Sequence, residues 1–247
     1  MTAKITTFNS WVPVRVEPSS ASENVTTLLF GEIAKVLQET EEWLKIQLEY
    51  DQYIGWVGKE YVLDSSGILD SKISVNKSTR YIGNGSSINV PVGGELPGSS
   101  IKLADERLTL ENNSTITDQV NLSKIGEQAL KQFLHAPYLW GGRSEHGIDC
   151  SGLVQVCMKL AGKKFPRDAS QQAMEGDSID FGERQTNDLV YFAKNERITH
   201  VGILLNKDQI IHASGRVRID ALTEQGIFNA EIQRITHVLH SIKRVAL

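Results

Sequence analysis

Cys150 stands in "YLWGGRSEHGIDCSGLVQ", residues 138–155, where a glycine-rich polar run gives way to a helical apolar pattern. A thiol at a helix start meets unpaired backbone N–H groups and the positive end of the helix dipole, and both favour an anion. That placement is expected to lower its pKa and make Cys150 a thiolate nucleophile. Gly141, Gly142 and Gly147 keep the preceding loop thin enough for a substrate to reach the sulfur, and Gly152 would let the helix pack close to a neighbour. Taken alone, Cys150 reads equally well as a buried structural cysteine. Cys157 has Leu153 and Ala161 four residues to either side, an apolar stripe, and reads as core. On one helix the two residues are separated by roughly 10 Å along the axis, beyond the Cα spacing of about 7 Å that a disulfide allows. Both are expected to be free thiols, as in a reducing compartment.

A thiolate needs an imidazole to take up and return protons, and that imidazole needs a polar group to orient it. Of the six histidines, His200 opens "HVGILL" and His212 lies in "IIHAS", two strands joined as a hairpin. Side chains alternate along a strand. An odd loop of about three residues would put both imidazoles on one face as diagonal neighbours, about 7–8 Å apart between backbones. A four-residue loop without a bulge would separate them. His135, His146, His237 and His240 lack such partners and read as surface or core residues. Zinc held by Cys150 and the two histidines would want a fourth ligand that the local pattern lacks, so neither metal nor cofactor is expected.

The elements that must carry these groups fall into three stretches. Residues 1–64 read as a small β domain: "WVPVRV" sets Val12, Val14 and Val16 on one face, and "WLKIQLEY" alternates Leu44, Ile46 and Leu48 with polar residues. Residues 65–121 are richer in Ser, Gly and Asn, with apolar positions at Ile88, Val90, Val92, Leu108 and Leu110, and read as a second small β domain or a structured linker. From residue 122 to 247, "SKIGEQALKQFL" and "CSGLVQVCMKLAG" read as helices. "NDLVYF", "HVGILL", "IIHAS" and "ITHVLHSIKRV" read as strands, giving an α+β domain.

Apolar residues make up 40% of the chain and charged residues 23%, ordinary for a globular protein. A net charge of −4 offers no bulk attraction to nucleic acid or an anionic membrane. No run of about 18 apolar residues suggests a membrane span. The N-terminal stretch has neither a long apolar core nor a small-residue cleavage site. The expected location is therefore cytoplasmic, or periplasmic or secreted if a leader has been removed.

"YLWGG … GIDCSGLVQ", "FPRDASQQ", "NDLVYF", "THVGILL" and "IIHAS" occur in the order seen in NlpC-type cell-wall cysteine peptidases, and residues 122–247 resemble that family. "W-L-K-I … G-W-V … Y" in residues 1–64 resembles bacterial SH3-like barrels. The resemblance implies a papain-like fold with Cys150 as nucleophile, His200 as general base and His212 as the group orienting it. "TNDLVYF" departs from the family, which usually has Pro-Gly before the Asp. The layout as a whole resembles γ-D-glutamyl-L-diamino acid endopeptidases, which act in murein recycling on stem peptides with a free N-terminal L-Ala. By that resemblance Asp168 meets the substrate ammonium, with helix capping as its alternative role. Ser151 contacts substrate, and Tyr53 is lent to the pocket by the SH3-like domain, with a core position as its alternative. Tyr138 would donate to the oxyanion or simply pack, and Arg167 would hold a carboxylate or be solvated. The expected partner is the stem peptide, and the chain is expected to be a monomer. The competing readings are a wall-remodelling hydrolase of intact murein, a non-catalytic wall-peptide-binding protein, and a thiol acyltransferase.

Overall fold

The computed structural model describes residues 3–65, 71–111 and 121–246. The chain divides into two compact units, Met1–Gln119 with Trp140–Glu145, and Val120–Leu139 with His146–Leu247. The expected boundaries near 65 and 121 adjoin residues 66–70 and 112–120, which lie outside the described residues.

In the first unit, strands β1 (Lys4–Thr6), β2 (Trp11–Arg15), β3 (Asn24–Leu29), β4 (Ala34–Glu39), β5 (Trp43–Leu48), β6 (Ile54–Gly58) and β7 (Leu63–Asp64) form one antiparallel sheet in the order β3-β2-β6-β5-β4-β1-β7. The alternation of Leu44, Ile46 and Leu48 drives one face of β5 into a core with Val12, Val14, Leu28 and Val57. Val16 does not join it: β2 ends at Arg15, and Val16 is exposed. Strands β8 (Lys72–Ile73), β9 (Arg80–Ile82), β10 (Ser87–Asn89), β11 (Glu95–Leu96), β12 (Ser100–Leu103) and β13 (Glu106–Leu110) make a four-stranded sheet, β10-β9-β13-β12, and the pair β11-β8. Their core of Tyr81, Val90, Leu96, Ile101 and Leu108 also takes in Phe30, with Phe8 packed against it. Phe8, Phe30 and Tyr81 stack at centroid spacings of 5.3 and 5.6 Å, so the two β segments share apolar contacts.

The segment Trp140–Glu145, with the short strand β14 (Arg143–Ser144), is fixed in this unit by a buried ion pair. Arg143 Nη2 donates to Glu32 Oε1 at 2.8 Å, and its Nη1 donates to Glu32 Oε2 and to the Thr27 carbonyl. The Leu29 amide adds a further bond to Glu32 Oε2. Gly141 is required here for packing. Its φ is +77°, and a Cβ would lie 2.4 Å from Asn24 Nδ2.

The second unit is built around α2 (Cys150–Leu160), which follows β15 (Gly147–Ile148) and is buried along its whole length. Asp149 caps it, accepting from the Gly152 amide at 2.7 Å. Helix α1 (Ile125–Phe133) buries Ile125, Ala129 and Phe133, as its periodicity predicts. Strands β16 (Asp177–Ile179), β17 (Leu189–Lys194), β18 (Arg197–Leu204), β19 (Gln209–Ser214), β20 (Arg216–Thr223), β21 (Gly226–Asn229) and β22 (Arg234–Arg244) form an antiparallel sheet in the order β16-β22-β17-β18-β19-β20-β21. A further pairing of β21 with β22 closes β17 to β22 into a barrel. Val190, Phe192, Leu204, Ile210, Leu222, Ile227 and Ile242 form an apolar core along these strands.

The departure "TND" is accommodated locally. Asn187 adopts φ +71°, a conformation Asn tolerates better than most residues. Its side chain accepts from the Gly126 amide at 2.9 Å and donates to the Ser123 carbonyl, completing the start of α1. No helix among the described residues is long and apolar enough to cross a membrane.

Removing one partner from the buried Arg143–Glu32 pair leaves an uncompensated charge, at a cost of about 3–5 kcal/mol. Arg143→Met is therefore expected to lower the urea midpoint of the first unit strongly, and adding Glu32→Leu is expected to recover part of the loss. Equal midpoints for Arg143→Met and wild type would contradict the role given to this pair.

Candidate active site

The β18–β19 loop settles where the histidines stand. The Leu205 amide bonds to the Gln209 carbonyl at 2.9 Å, closing an odd loop over 206–208. Gly202 pairs with His212, so His200 lies two residues away on the same face. The diagonal geometry expected from the sequence is realised, with His200 Nε2 and His212 Nδ1 2.8 Å apart. Both rings are buried.

The sequence reading missed Asp220. On β20 it falls on the His212 face, and its Oδ2 lies 2.9 Å from His212 Nε2. Arg218 holds the same carboxylate through Nε at 2.7 Å and Nη2 at 2.9 Å, and its Nη1 reaches Glu231. Burial works to raise the Asp220 pKa, but the hydrogen bonds from His212 and Arg218 outweigh it, and the net shift is downward. An ionised carboxylate only accepts. His212 therefore carries its proton on Nε2 and presents Nδ1 as acceptor. His200 in turn donates from Nε2 and keeps a lone pair on Nδ1. The chain sets His200 Nδ1 as the basic nitrogen.

Cys150 opens α2 with its thiol buried, and the Val201 amide, next to His200, bonds toward the sulfur. The expected drop in its pKa does not occur. Burial, then the charge of Asp149, push the thiol up to about 12, against the lowering by the Val201 and Ser151 amides and Arg167. The helix dipole favours an anion at this position, but desolvation and the capping carboxylate one residue away outweigh it. Burial, followed by His212 and His237, holds His200 well below the usual imidazole range. Burial thus disfavours the charged form of both groups. Cys157 is fully buried and its pKa is also raised by burial, as a core residue.

Ser151 and Arg167 are brought together. Arg167 grips Asp149 through Nη2 at 2.6 Å and Nη1 at 3.1 Å, and Nη1 also donates to Ser151 Oγ at 2.8 Å. The carboxylate that Arg167 holds is the cap of α2, so this cluster fixes the helix start beneath Cys150. Asp168, half-buried, precedes α3 (Ala169–Gln172) and makes no side-chain capping bond, although its carbonyl accepts from the Gln171 and Gln172 amides. Tyr138 lies near Cys150. Burial, then the charges of Cys150 and Asp149, push its phenol up to about 12, which keeps the hydroxyl a donor. Tyr53 lies in the other unit, half-buried after the β5–β6 turn, with its amide bonded to Asp51. A cleft of about 600 Å³ is lined by Tyr138, His200, Ser214, Thr236, His237 and Val238.

His237, read from sequence as a surface or core residue, stacks on His200 at 4.0 Å between centroids. By distance, the nitrogens of His200, His212 and His237 lie close enough to share an ion. The geometry argues against it. Ring lone pairs lie in the ring planes, and the planes of His200 and His237 are only 23° apart, so they do not converge on one point. Both His212 nitrogens already face hydrogen-bond partners.

A buried helix start bearing a thiol, packed on a closed antiparallel barrel that carries an imidazole chain, fits a papain-like catalytic domain. Residues 135–235 match the NlpC/P60 family model, and residues 14–60 match that of a bacterial dipeptidyl-peptidase SH3 domain. The chain is 30% identical, over 81% of its length and 76% of the relative's, to a γ-D-glutamyl-L-lysine dipeptidyl-peptidase of Bacillus subtilis. It is 25% identical, over 79% and 68%, to a Bacillus cereus protein of the same name. A crystal structure of an NlpC/P60 family protein from Bacillus cereus shares the fold, with a TM-score of 0.81 at 18% identity over 98% of this chain and 99% of that one. The chain belongs to the NlpC/P60 family, and it is a peptidase of the peptidoglycan-hydrolysing kind that carries an SH3 domain.

A base is active only when neutral. Because the His200 pKa is lowered, kcat/KM is expected to stay high as pH falls through 6.5 and to decline only at clearly lower pH. An acid limb centred at or above 6.5 would contradict this. Asp220→Asn removes the acceptor that fixes the tautomers and is expected to cost at least about a hundredfold in kcat, measured against Asp208→Asn as a surface control.

Proposed function

We propose that the protein hydrolyses the bond between γ-D-glutamate and the L-diamino acid in peptidoglycan stem peptides that carry a free N-terminal L-alanine. The observation that carries this reading is the hydrogen-bonded run His200–His212–Asp220, with the Cys150 thiol bonded from the Val201 amide next to His200. The names of the two Bacillus relatives support the choice of bond.

In this mechanism His200 Nδ1 takes the thiol proton as Cys150 Sγ attacks the γ-carbonyl carbon. The new imidazolium is stabilised through His212 by Asp220. The Tyr138 hydroxyl donates to the oxyanion. The imidazolium then protonates the leaving amine, and the C–N bond breaks to leave a thioester on Cys150. Water, deprotonated by His200, hydrolyses the thioester and restores the thiol.

Asp168 accounts for the free amine. An ammonium in the pocket wants a carboxylate, and acetylation removes the charge that Asp168 would meet. Loss of such a bond typically costs about 2–5 kcal/mol, or roughly 30-fold to several thousand-fold in specificity. That preference places the enzyme in recycling of released peptides, since the lactyl group blocks this nitrogen in intact murein.

The test is incubation with L-Ala-γ-D-Glu-L-Lys, its diaminopimelate counterpart, their N-acetylated copies and intact murein, with products identified by mass. Cleavage of the free peptides at the γ-glutamyl bond is expected. Asp168→Asn should weaken that cleavage far more than cleavage of the acetylated copies, and Cys150→Ala should abolish it while Cys157→Ala keeps it. Equal rates on intact murein and the free tripeptide would make the protein a wall-remodelling hydrolase instead.

A further inference from the structure

We propose that His237 is a positioning residue for the reaction: its ring, stacked on His200, fixes the plane of the base and keeps water off that face. The inference rests on reading Cys150 and His200 as nucleophile and base, and it adds a residue to that machinery.

The geometry leaves little freedom for another reading. His237 lies on β22, a strand far in sequence from the hairpin, and reaches His200 because β22 pairs with both β17 and β21. The two imidazoles lie 4.0 Å apart between centroids with planes 23° from parallel. Phe192 closes in on the same rings, at 5.8 Å from His200 and 6.0 Å from His237. His212 meets both edge-on, at 5.0 and 5.7 Å. His200 is thus held by a hydrogen bond in its plane and by the His237 ring against one face, with Phe192 flanking both rings. Its plane decides where Nδ1 points, and a misaimed base transfers protons poorly.

The His237 ring is itself fixed, with Nδ1 2.9 Å from Thr236 Oγ1. The groups around it are His200 from β18, His212 from β19 and Asp220 from β20, with Lys194 of β17 at the cleft. Burial, then the charge of His212, lower His237 to about 4, against the raising effect of Asp220. His237 therefore stays neutral above about pH 5 and adds no like charge beside the imidazolium.

Phe keeps the stacked ring and the exclusion of water, and Ala removes both. With the tripeptide as substrate, His237→Ala is expected to lower kcat about tenfold with KM little changed. Its acid limb should move to higher pH, because water reaching His200 relieves the burial that depresses its pKa. His237→Phe should keep both kcat and the pH profile near wild type. The alkylation rate of Cys150 by iodoacetamide against pH gives the same comparison without a peptide substrate. Should the Ala variant fail to fold, His237→Gln removes the ring while keeping bulk, and is expected to behave as Ala does. A wild-type kcat and pH profile in the ring-deleted variant would overturn the proposal. So would a folded Phe variant as impaired as Ala, since a nitrogen and not the ring face would then matter. Activity surviving in Cys150→Ala would instead overturn the underlying assignment of the nucleophile.

Discussion

Asp220 is an acceptor and nothing else, and it is buried against His212 with Arg218 holding its other side. The protonation state of each nitrogen in the site follows from that constraint. His212 must donate to the carboxylate, His200 must donate to His212, and the lone pair that remains is on His200 Nδ1. A hydroxyl or amide in place of Asp220 would leave the tautomers free to reverse. Burial gives the arrangement its direction, since it disfavours both a lone thiolate at Cys150 and a lone imidazolium at His200. In the proposed mechanism the two charges form together at the moment of attack, when each has the other beside it.

The constraint acts across neighbouring strands. His200, His212 and Asp220 lie on the adjacent strands β18, β19 and β20, His237 lies on β22 on the other side of β17, and the pairing of β21 with β22 closes the barrel around them. The apolar core of Phe192, Leu204, Ile210, Leu222 and Ile242 supplies the burial that makes this closure stable. The position of Cys150 depends on a second buried cluster: Asp149 caps α2, and Arg167 pins Asp149 while also reaching Ser151. Cap and ion pair together fix the first turn of the helix, which is where the sulfur must be held still.

Local pattern was enough to read much of this. Both helices and the strands at "NDLVYF", "HVGILL", "IIHAS" and "ITHVLHSIKRV" follow from period, because those signals lie within a few residues of one another; β20 and β21 carry no such signal, and the diagonal histidines follow only once the loop is odd. Asp220 was hidden because nothing local in "RVRID" marks which way its charged residues face, and only the register against β19 sets Asp220 on the His212 face. His237 was hidden by bulges. The register slips between Tyr191 and Phe192, and again between Ile227 and Phe228. Simple alternation from Ile242 then assigns His237 the wrong face. The pKa of Cys150 was misjudged for another reason: a helix dipole can be read from sequence, but the depth of burial that outweighs it cannot. Gly141 needed the fold as well, since the atoms it must avoid belong to Asn24, more than a hundred residues away.

The central claim is that Cys150 carries the acyl group while His200 shuttles the proton. Acid-quenched mass spectrometry of the enzyme during turnover of L-Ala-γ-D-Glu-L-Lys tests it most directly. The account predicts an L-Ala-γ-D-Glu adduct on the peptide containing Cys150, held as a thioester through the γ-carbonyl and released by hydroxylamine. Rapid turnover with the adduct on another residue, or continued hydrolysis by Cys150→Ala, would contradict it.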